Sequence, residues 1–285
     1  MNYFQKRFLS RYHRKGSILI VAIWILVFFS ILSVGLYKIV SSQISIVKTI
    51  EDRCLSQYLA KAAYTYATRE RKKDKLAYDS FYQLRVKREK ELGRGKFIYT
   101  FIDEESKINI NSASPEIIAN LPGLTLELAK AIANSPLRPF HVKEEILLVE
   151  GLNAEVFNNC KDFITVYSDG KVNINTAPVE TLRAWGFSEN TITTINDFRI
   201  GRDNKELTED DGIFQNSSEI IARLEDYGEI SEEDKAVLNQ LIAGGLIIVK
   251  SSNLSLEVAT EIVGRPAMKY AIIMDTERIK EWREY

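Results

Sequence analysis

The densest group of candidate metal ligands in the chain is a run of acids: Asp203, Glu206, Glu209, Asp210 and Asp211. Hard carboxylate oxygens of this kind suit Ca2+. Their spacing follows no standard calcium loop, and a solvated acidic loop accounts for the same composition. Two cysteines, Cys54 and Cys160, allow at most one disulfide and no thiolate cluster. They fall in segments assigned below to different structural units, which favours two separate thiols. The histidines are His13, in a basic N-terminal stretch, and His141, beside Phe140. Neither cysteine has a histidine near it in sequence, no Gly-rich phosphate loop is present, and the acids form no recognisable catalytic pair. The sequence offers no enzyme. One further chemical signal is a peptide bond. Arg14-Lys15-Gly16-Ser17 stands directly before a long apolar run, so Gly16 and Ser17 flank a candidate processing point.

That apolar run, Ser17 to Tyr37, contains no charged residue. A helix needs about 20 apolar residues to cross a bilayer core of ~30 Å, and this stretch is long enough. Residues 1–16 carry five Lys/Arg and no acid, and only Lys38 follows the run closely. By the positive-inside rule the N-terminus stays cytoplasmic and the bulk of the chain is exported. An ordinary secretory signal has a shorter apolar region with its cleavage site after it. Here the candidate site lies before the run, so cutting after Gly16 would remove a leader and leave the anchor in place. Beyond it, no Pro or Gly interrupts 38–92. Ile44, Val47, Cys54, Tyr58, Ala62 and Thr65 recur at three- and four-residue steps, which predicts a long amphipathic stalk helix.

The net charge of −1 hides a division of charge. Residues 48–96 carry 14 Lys/Arg against 7 Asp/Glu, whereas residues 103–250 carry 13 against 26. The acidic part contains an internal repeat. Lys107-Ile108-Asn109-Ile110-Asn111-Ser112-Ala113 is echoed by Lys171-Val172-Asn173-Ile174-Asn175-Thr176-Ala177, and Glu116 by Glu180, at an offset of 64. Phe140 is answered by Phe214, ten residues late, and the excess coincides with Gly201–Gly212 and its acids. Each unit reads as short helices joined by Gly turns at Gly123, Gly151, Gly186 and Gly228. Ser112 or Ser114 and Thr176 are expected to cap helix starts, with Pro115 and Pro178 in the first turn. Ala129, Ile132, Ile192 and Ile195 are expected to point inward.

Before the repeat, Lys96–Asp103 is rich in β-branched and aromatic residues and predicts a strand. After it, Leu254–Val263, Ala267–Met274 and Glu277–Trp282 predict three more. The fold class is therefore α+β. A long N-terminal helix packs on a small antiparallel sheet, and a large helical domain is inserted between the strands. The expected organisation is a leader at 1–16, an anchor at 17–37, a stalk at 38–92 and an α/β domain from 93–106 with 251–285. The inserted domain spans 107–250, with repeats at 107–168 and 171–250.

Two resemblances follow from these residues. The repeat resembles the helix-hairpin-helix unit of DNA-binding proteins, including receptors for DNA uptake. That unit holds phosphate with backbone amides at a Gly-x-Gly hairpin and with basic side chains. Here the turn reads Gly123-Leu124-Thr125 without its second Gly, and the surrounding segment is strongly acidic, so nucleic acid should be repelled. The chain as a whole resembles the minor pseudopilin K family of the type II (general) secretion pathway. The match rests on the Gly16 leader, Val21 where related subunits carry Glu at the fifth mature position, Leu59-Ala60-Lys61-Ala62, the paired Asn-Ile-Asn motifs and the terminal Trp282-Arg283-Glu284. The resemblance implies a single-pass inner-membrane protein with a periplasmic body. Its implied partners are minor pseudopilins of the I and J type in a pseudopilus tip complex, the inner-membrane secretion platform, a prepilin peptidase and exported proteins, with no nucleic acid. Some members bind calcium in the α-domain, for which Asp203, Glu206, Glu209, Asp210 and Asp211 are the candidates here. The alternatives are a membrane-anchored DNA-uptake protein and a minor pilin of a type IV pilus.

Overall fold

The structure, a computed structural model, describes residues 5–201, 203, 205, 208, 210–265, 267–275 and 278–285, with side chains from Ile18 onward. The chain divides into two units after Gln57. The first is the leading part of helix α1 (Gln5–Lys73). From Ile18 this helix includes an 18-residue window of mean hydropathy 2.8, which makes it long and apolar enough to cross a membrane.

The second unit begins with the last turns of α1. These bury Leu59, Ala60, Ala63 and Ala67, while Tyr58 and Thr65 from the expected stripe stay exposed. Small residues on the buried side let the helix lie close to a sheet. The helix ends at Lys73, not at residue 92 as the uninterrupted pattern suggests. Arg71, Lys72 and Lys73 in its last turn suit the negative end of the helix dipole. The chain then bends so that Asp79 meets Arg71 in a bidentate ion pair. A short helix α2 (Phe81–Arg85), capped by Ser80, leads into strand β1 (Arg88–Leu92). The segment Arg-Glu-Lys-Glu-Leu is a good helix former by propensity. Pairing with the next strand outweighs that preference, and its charges suit an edge.

Strand β2 (Gly95–Asp103) pairs with β1 on one side. On the other it pairs with β7 (Leu254–Ile262), in register from Gly95 opposite Ile262 to Asp103 opposite Leu254. Strands β8 (Met268–Met274) and β9 (Ile279–Glu284) complete an antiparallel sheet of order β1-β2-β7-β8-β9. Alternation sends Phe97, Tyr99 and Phe101 to the buried face with Leu256, Val258, Tyr270 and Ile272. Burying each such side chain contributes about 1.5–3 kcal/mol. Tyr66 of α1 packs on Phe97, ring centroids 5.7 Å apart, and the Tyr99 hydroxyl donates to Glu70 at 2.8 Å.

Between Asp103 and Leu254 the chain leaves the sheet to form two similar units. The first runs through β3 (Ile108–Asn109), α3 (Pro115–Ala119), α4 (Leu126–Ala133), a 3-10 turn (Lys143–Leu148), α5 (Ala154–Cys160) and β4 (Ile164–Thr165). The second runs through β5 (Val172–Asn173), α6 (Val179–Ala184), α7 (Glu189–Ile200), a 3-10 turn (Ser217–Glu219), α8 (Ile220–Tyr227), α9 (Glu232–Ala243) and β6 (Ile247–Ile248). In each, the first and last strands pair in parallel, so the unit closes on itself. Each has its own core, built on Ile118, Ile132 and Ile146 in the first and on Leu182, Ile195 and Phe214 in the second. Trp185 packs against both. Ala129, Ile132, Ile192 and Ile195 are buried. Ser114 caps α3 as expected, but Thr176 does not cap α6, whose N-cap is Pro178. Gly123, Gly151 and Gly186 are left-handed, whereas Gly228 is extended at φ −167 and is kept small by the Thr194 side chain beside it.

At Gly95 an added Cβ would lie 2.7 Å from Leu59 Cδ1 and 2.8 Å from the Glu261 carbonyl oxygen. The second neighbour is backbone in a paired strand and cannot turn aside. Gly95→Ala should therefore destabilise the helix–sheet unit by about 1–3 kcal/mol, the usual cost of overpacking, read as a lowered thermal midpoint of the detergent-solubilised chain.

Candidate functional site

The points where the chain enters and leaves the insertion lie side by side, and the Glu104 amide donates to the Asn253 carbonyl at 3.1 Å. At this crossing sits the Asp103 carboxylate, buried at the end of β2. One oxygen accepts the Glu105 amide at 2.8 Å. The other accepts Asn173 Nδ2 at 2.9 Å, Thr176 Oγ1 at 2.5 Å and Ser251 Oγ at 2.6 Å. A buried charge is tolerated only when so surrounded. Ser251 links the cluster to the stalk: its amide donates to Asp79 at 2.7 Å, and its carbonyl accepts Arg71 Nη2 at 2.8 Å. Glu105 lies beside the hub and accepts Asn253 Nδ2 at 2.7 Å and the Asn253 amide at 3.2 Å. Asn253 Oδ1 in turn accepts Lys280 Nζ from β9 at 2.6 Å. Burial, and then the negative charge of Asp103, push the Glu105 carboxyl up to about 8.

The paired Asn-Ile-Asn motifs are the pins of the two repeats. A primary amide offers an acceptor and two donors, so it can pair with a backbone as a strand would. Asn111 accepts the Phe140 amide and donates to the Phe140 carbonyl, both at 2.8 Å. Asn175 does the same to Phe214, both at 2.9 Å. The first asparagine of each motif accepts the amide two residues on, at 2.8 Å for Asn109 and 3.1 Å for Asn173. Their free N–H groups then diverge. Asn109 donates to the Ser168 carbonyl within its own repeat, whereas Asn173 donates to Asp103 and Ser251 and so fastens the second repeat to the sheet.

The second repeat fills its own anion site. A helix N-terminus presents unpaired amides and a positive partial charge. At the start of α7 the Ser188 amide donates to Asp234 Oδ1 at 3.1 Å, and the Ser188 hydroxyl donates to Oδ2 at 2.6 Å. Ser231 Oγ adds a third bond at 2.8 Å. Burial alone would raise the Asp234 carboxyl, but these serine donors outweigh it and hold the group below its usual range. At the corresponding start of α4 the cap is Thr125, which accepts the Leu128 amide.

The acidic loop is only partly described. Asp210 and Asp211 lie 2.7 and 3.0 Å from the Thr208 hydroxyl, and Asp203 lies 3.4 Å from it. Glu206 and Glu209 lie outside the described residues. Among the described residues no group of three or more His, Cys, Asp and Glu side chains is arranged to hold a metal ion. Gly201 and Gly212 let this loop leave and rejoin the end of α7. A Cβ on Gly201 would sit 2.5 Å from the Asp210 carbonyl oxygen, and one on Gly212 2.1 Å from that of Phe198. Cys54 and Cys160 are both free thiols. Burial pushes the Cys160 thiol up to about 11. Gly16 and Ser17 precede the first described side chain, and Val21 is exposed on α1.

Two comparisons bear on this arrangement. A family profile for the helix-hairpin-helix motif matches residues 103–165, the first repeat with its approach from the sheet. Among solved structures, the chain is similar to a chain of the crystal structure of the GspK-GspI-GspJ complex from the enterotoxigenic Escherichia coli Type 2 Secretion System. The TM-score is 0.58 at 14% identity, over 84% of this chain and 99% of that one. The two share a fold. No curated protein matches the sequence.

The hub gives stability a pH dependence. Folded Glu105 keeps its proton up to about pH 8, whereas an unfolded one releases it near 4.5. Between those values the folded state binds more protons, so stability falls as pH rises. The thermal midpoint of the intact chain, followed by intrinsic fluorescence, should decline from about pH 5 to about pH 8 and flatten above that. In Glu105→Gln the decline over this window should be largely lost.

Proposed function

We propose that this protein is a minor pseudopilin of a type II secretion system, held in the inner membrane by α1 with its body in the periplasm. The observation that carries the reading is the combination of one long apolar N-terminal helix, a pilin-like sheet and a large helical insertion. A solved structure that shares the fold comes from the GspK-GspI-GspJ complex. The reading assigns this chain a place at the tip of the pseudopilus, together with companion subunits of the I and J type. Val21 supports the place. A carboxylate within a bilayer is costly unless paired, and with valine at that position the helix offers no such group to a neighbour's N-terminal amine. The insertion of roughly 150 residues between paired strands would also crowd a subunit stacked above it. The inner-membrane platform is then the base from which the assembly grows, and exported proteins are its cargo.

The rival reading is DNA binding, favoured by the helix-hairpin-helix match to residues 103–165. Two observations weigh against it. The N-terminus of α7 already holds the Asp234 carboxylate, where a phosphate would have to compete. The acids of residues 103–250 outnumber the bases two to one, so the counterion release that drives phosphate binding has little to act on. A minor pilin of a type IV pilus is the third reading, and co-purification with its own partners separates it from the first.

Three experiments test the proposal. Prepilin peptidase should cut between Gly16 and Ser17, so N-terminal sequencing of membrane-extracted protein should begin at Ser17. A chain that keeps residues 1–16 in cells with active peptidase contradicts this. Co-expressed in detergent with I-type and J-type minor pseudopilins, the full chain should form a defined complex by size exclusion with light scattering and should not polymerise alone. It should also fail to shift duplex DNA at low salt. Failure to join either partner, with salt-sensitive DNA binding instead, would favour the uptake reading.

A further inference from the structure

Where the insertion leaves and rejoins the sheet, two carboxyl groups two residues apart are both out of water: Asp103 is 3% exposed and Glu105 1%. The cations of the surrounding elements are engaged with other groups. Arg71 acts on Asp103, but its guanidinium is bonded to Asp79 and Asp74. Lys107 is paired with Glu104, and Lys280 of β9 donates to the Asn253 side-chain oxygen and the Tyr167 carbonyl. Two more acids face the pair, Asp79 toward Asp103 and Asp169 toward Glu105. Like charges in a site shielded from water favour keeping a proton. Burial, and then the charge of Asp103, push the Glu105 carboxyl up to about 8. Burial also raises Asp103, against the pull of the Ser251 and Thr176 hydroxyls. The retained proton belongs to the two carboxyls as a unit.

The same two residues fasten the second repeat to the sheet. Asp103 accepts the Asn173 and Thr176 side chains, and the Glu105 carbonyl accepts the Asn173 amide at 2.9 Å. Both Glu105 carboxyl oxygens accept from Asn253, just before β7, whose side chain also donates to Asp169 at 3.2 Å. On either side of this seam the structure is self-contained. The second repeat closes through the β5–β6 pair over its own core, and the sheet has a buried face of its own. The contacts between them can therefore part while each keeps its packing. Full ionisation would leave two charges at the crossing with Asp79 and Asp169 around them, and opening lets water solvate all four. An opened, hydrated crossing binds the proton less tightly than the closed one, so opening releases it and is favoured as pH rises.

We propose that the Asp103–Glu105 pair is a proton-operated latch: with its proton bound it holds the second repeat on the sheet, and on losing it lets this seam open while the sheet and the repeat stay folded. This differs from the pH-dependent loss of overall stability described above, in which every element would open together. The test is hydrogen exchange of the full chain in detergent, read by mass spectrometry from about pH 5.5 to about pH 8 and corrected for the intrinsic rate of each amide. Peptides containing Glu104, Asn173 or Asn253 report on the seam. Peptides from α7 and β8 report on the repeat and the sheet. The seam peptides should open more readily than both, and their opening constant should rise about tenfold per pH unit, the linkage of one released proton. Glu105→Gln should flatten that rise and keep the seam protected at the upper end of the range. Seam peptides that open no more readily than α7 and β8 at any pH, a seam opening indifferent to pH, or a rise that survives in Glu105→Gln would overturn the proposal.

Discussion

Asp103 holds a carboxyl group out of water at the point where four segments of the chain converge, and burial pushes its pKa up against the opposing pull of the Ser251 and Thr176 hydroxyls. Such a group must be surrounded by hydrogen-bond partners to stay buried. The donors come from far apart in sequence: the Glu105 amide just beyond β2, Asn173 and Thr176 at the start of the second repeat, and Ser251 just before β7. Through Ser251 the same cluster reaches Asp79 and Arg71, so the end of the stalk helix is tied to it as well. Each donor is oriented for this acceptor, and losing one leaves a partly satisfied buried network, which is worse than an apolar contact. The seating of the insertion on the sheet therefore includes a buried polar network.

The two repeats show how one motif can be put to two uses. Both pin a phenylalanine backbone with the second asparagine, and both close by a short parallel strand pair. The first asparagine decides the difference. In the first repeat it bonds within the unit, and in the second it joins the Asp103 cluster. A helix-hairpin-helix unit also offers helix N-termini to anions, and the second repeat fills one of them with its own Asp234. One helix N-terminus of the second repeat is thereby occupied from within the chain.

Much of this architecture was legible in the sequence. The uncharged run before Lys38 marks a helix able to cross a membrane because bilayer thickness and helix rise fix the length required. The β-branched and aromatic run at 96–103 and the strand-like run at 254–263 placed β2 and β7 nearly to the residue. The internal offset of 64 exposed the duplication, and Pro115 and Ser114 marked the start of α3. Other features were misread for physical reasons. Residues 74–92 follow a helix-compatible pattern, but Arg71–Asp79 and the pairing of β1 with β2 supply energy that local propensity cannot see. Thr176 sits where a cap belongs, yet Asp103 offers its hydroxyl a stronger partner.

By itself the sequence determined what depends on neighbours along the chain: the anchor, the strands, the repeat and the charge division between a basic front and an acidic body. Only the tertiary structure decided what depends on groups brought together across 70 to 180 residues. Asp103, Glu105, Ser251 and Asn253 look in sequence like ordinary polar residues at the edges of strands, and folding alone makes them a buried hub. The pairing of Asp234 with α7 is equally invisible in one dimension. Hydrogen bonds and charges act over a few ångströms, and sequence order does not record which distant residues come that close.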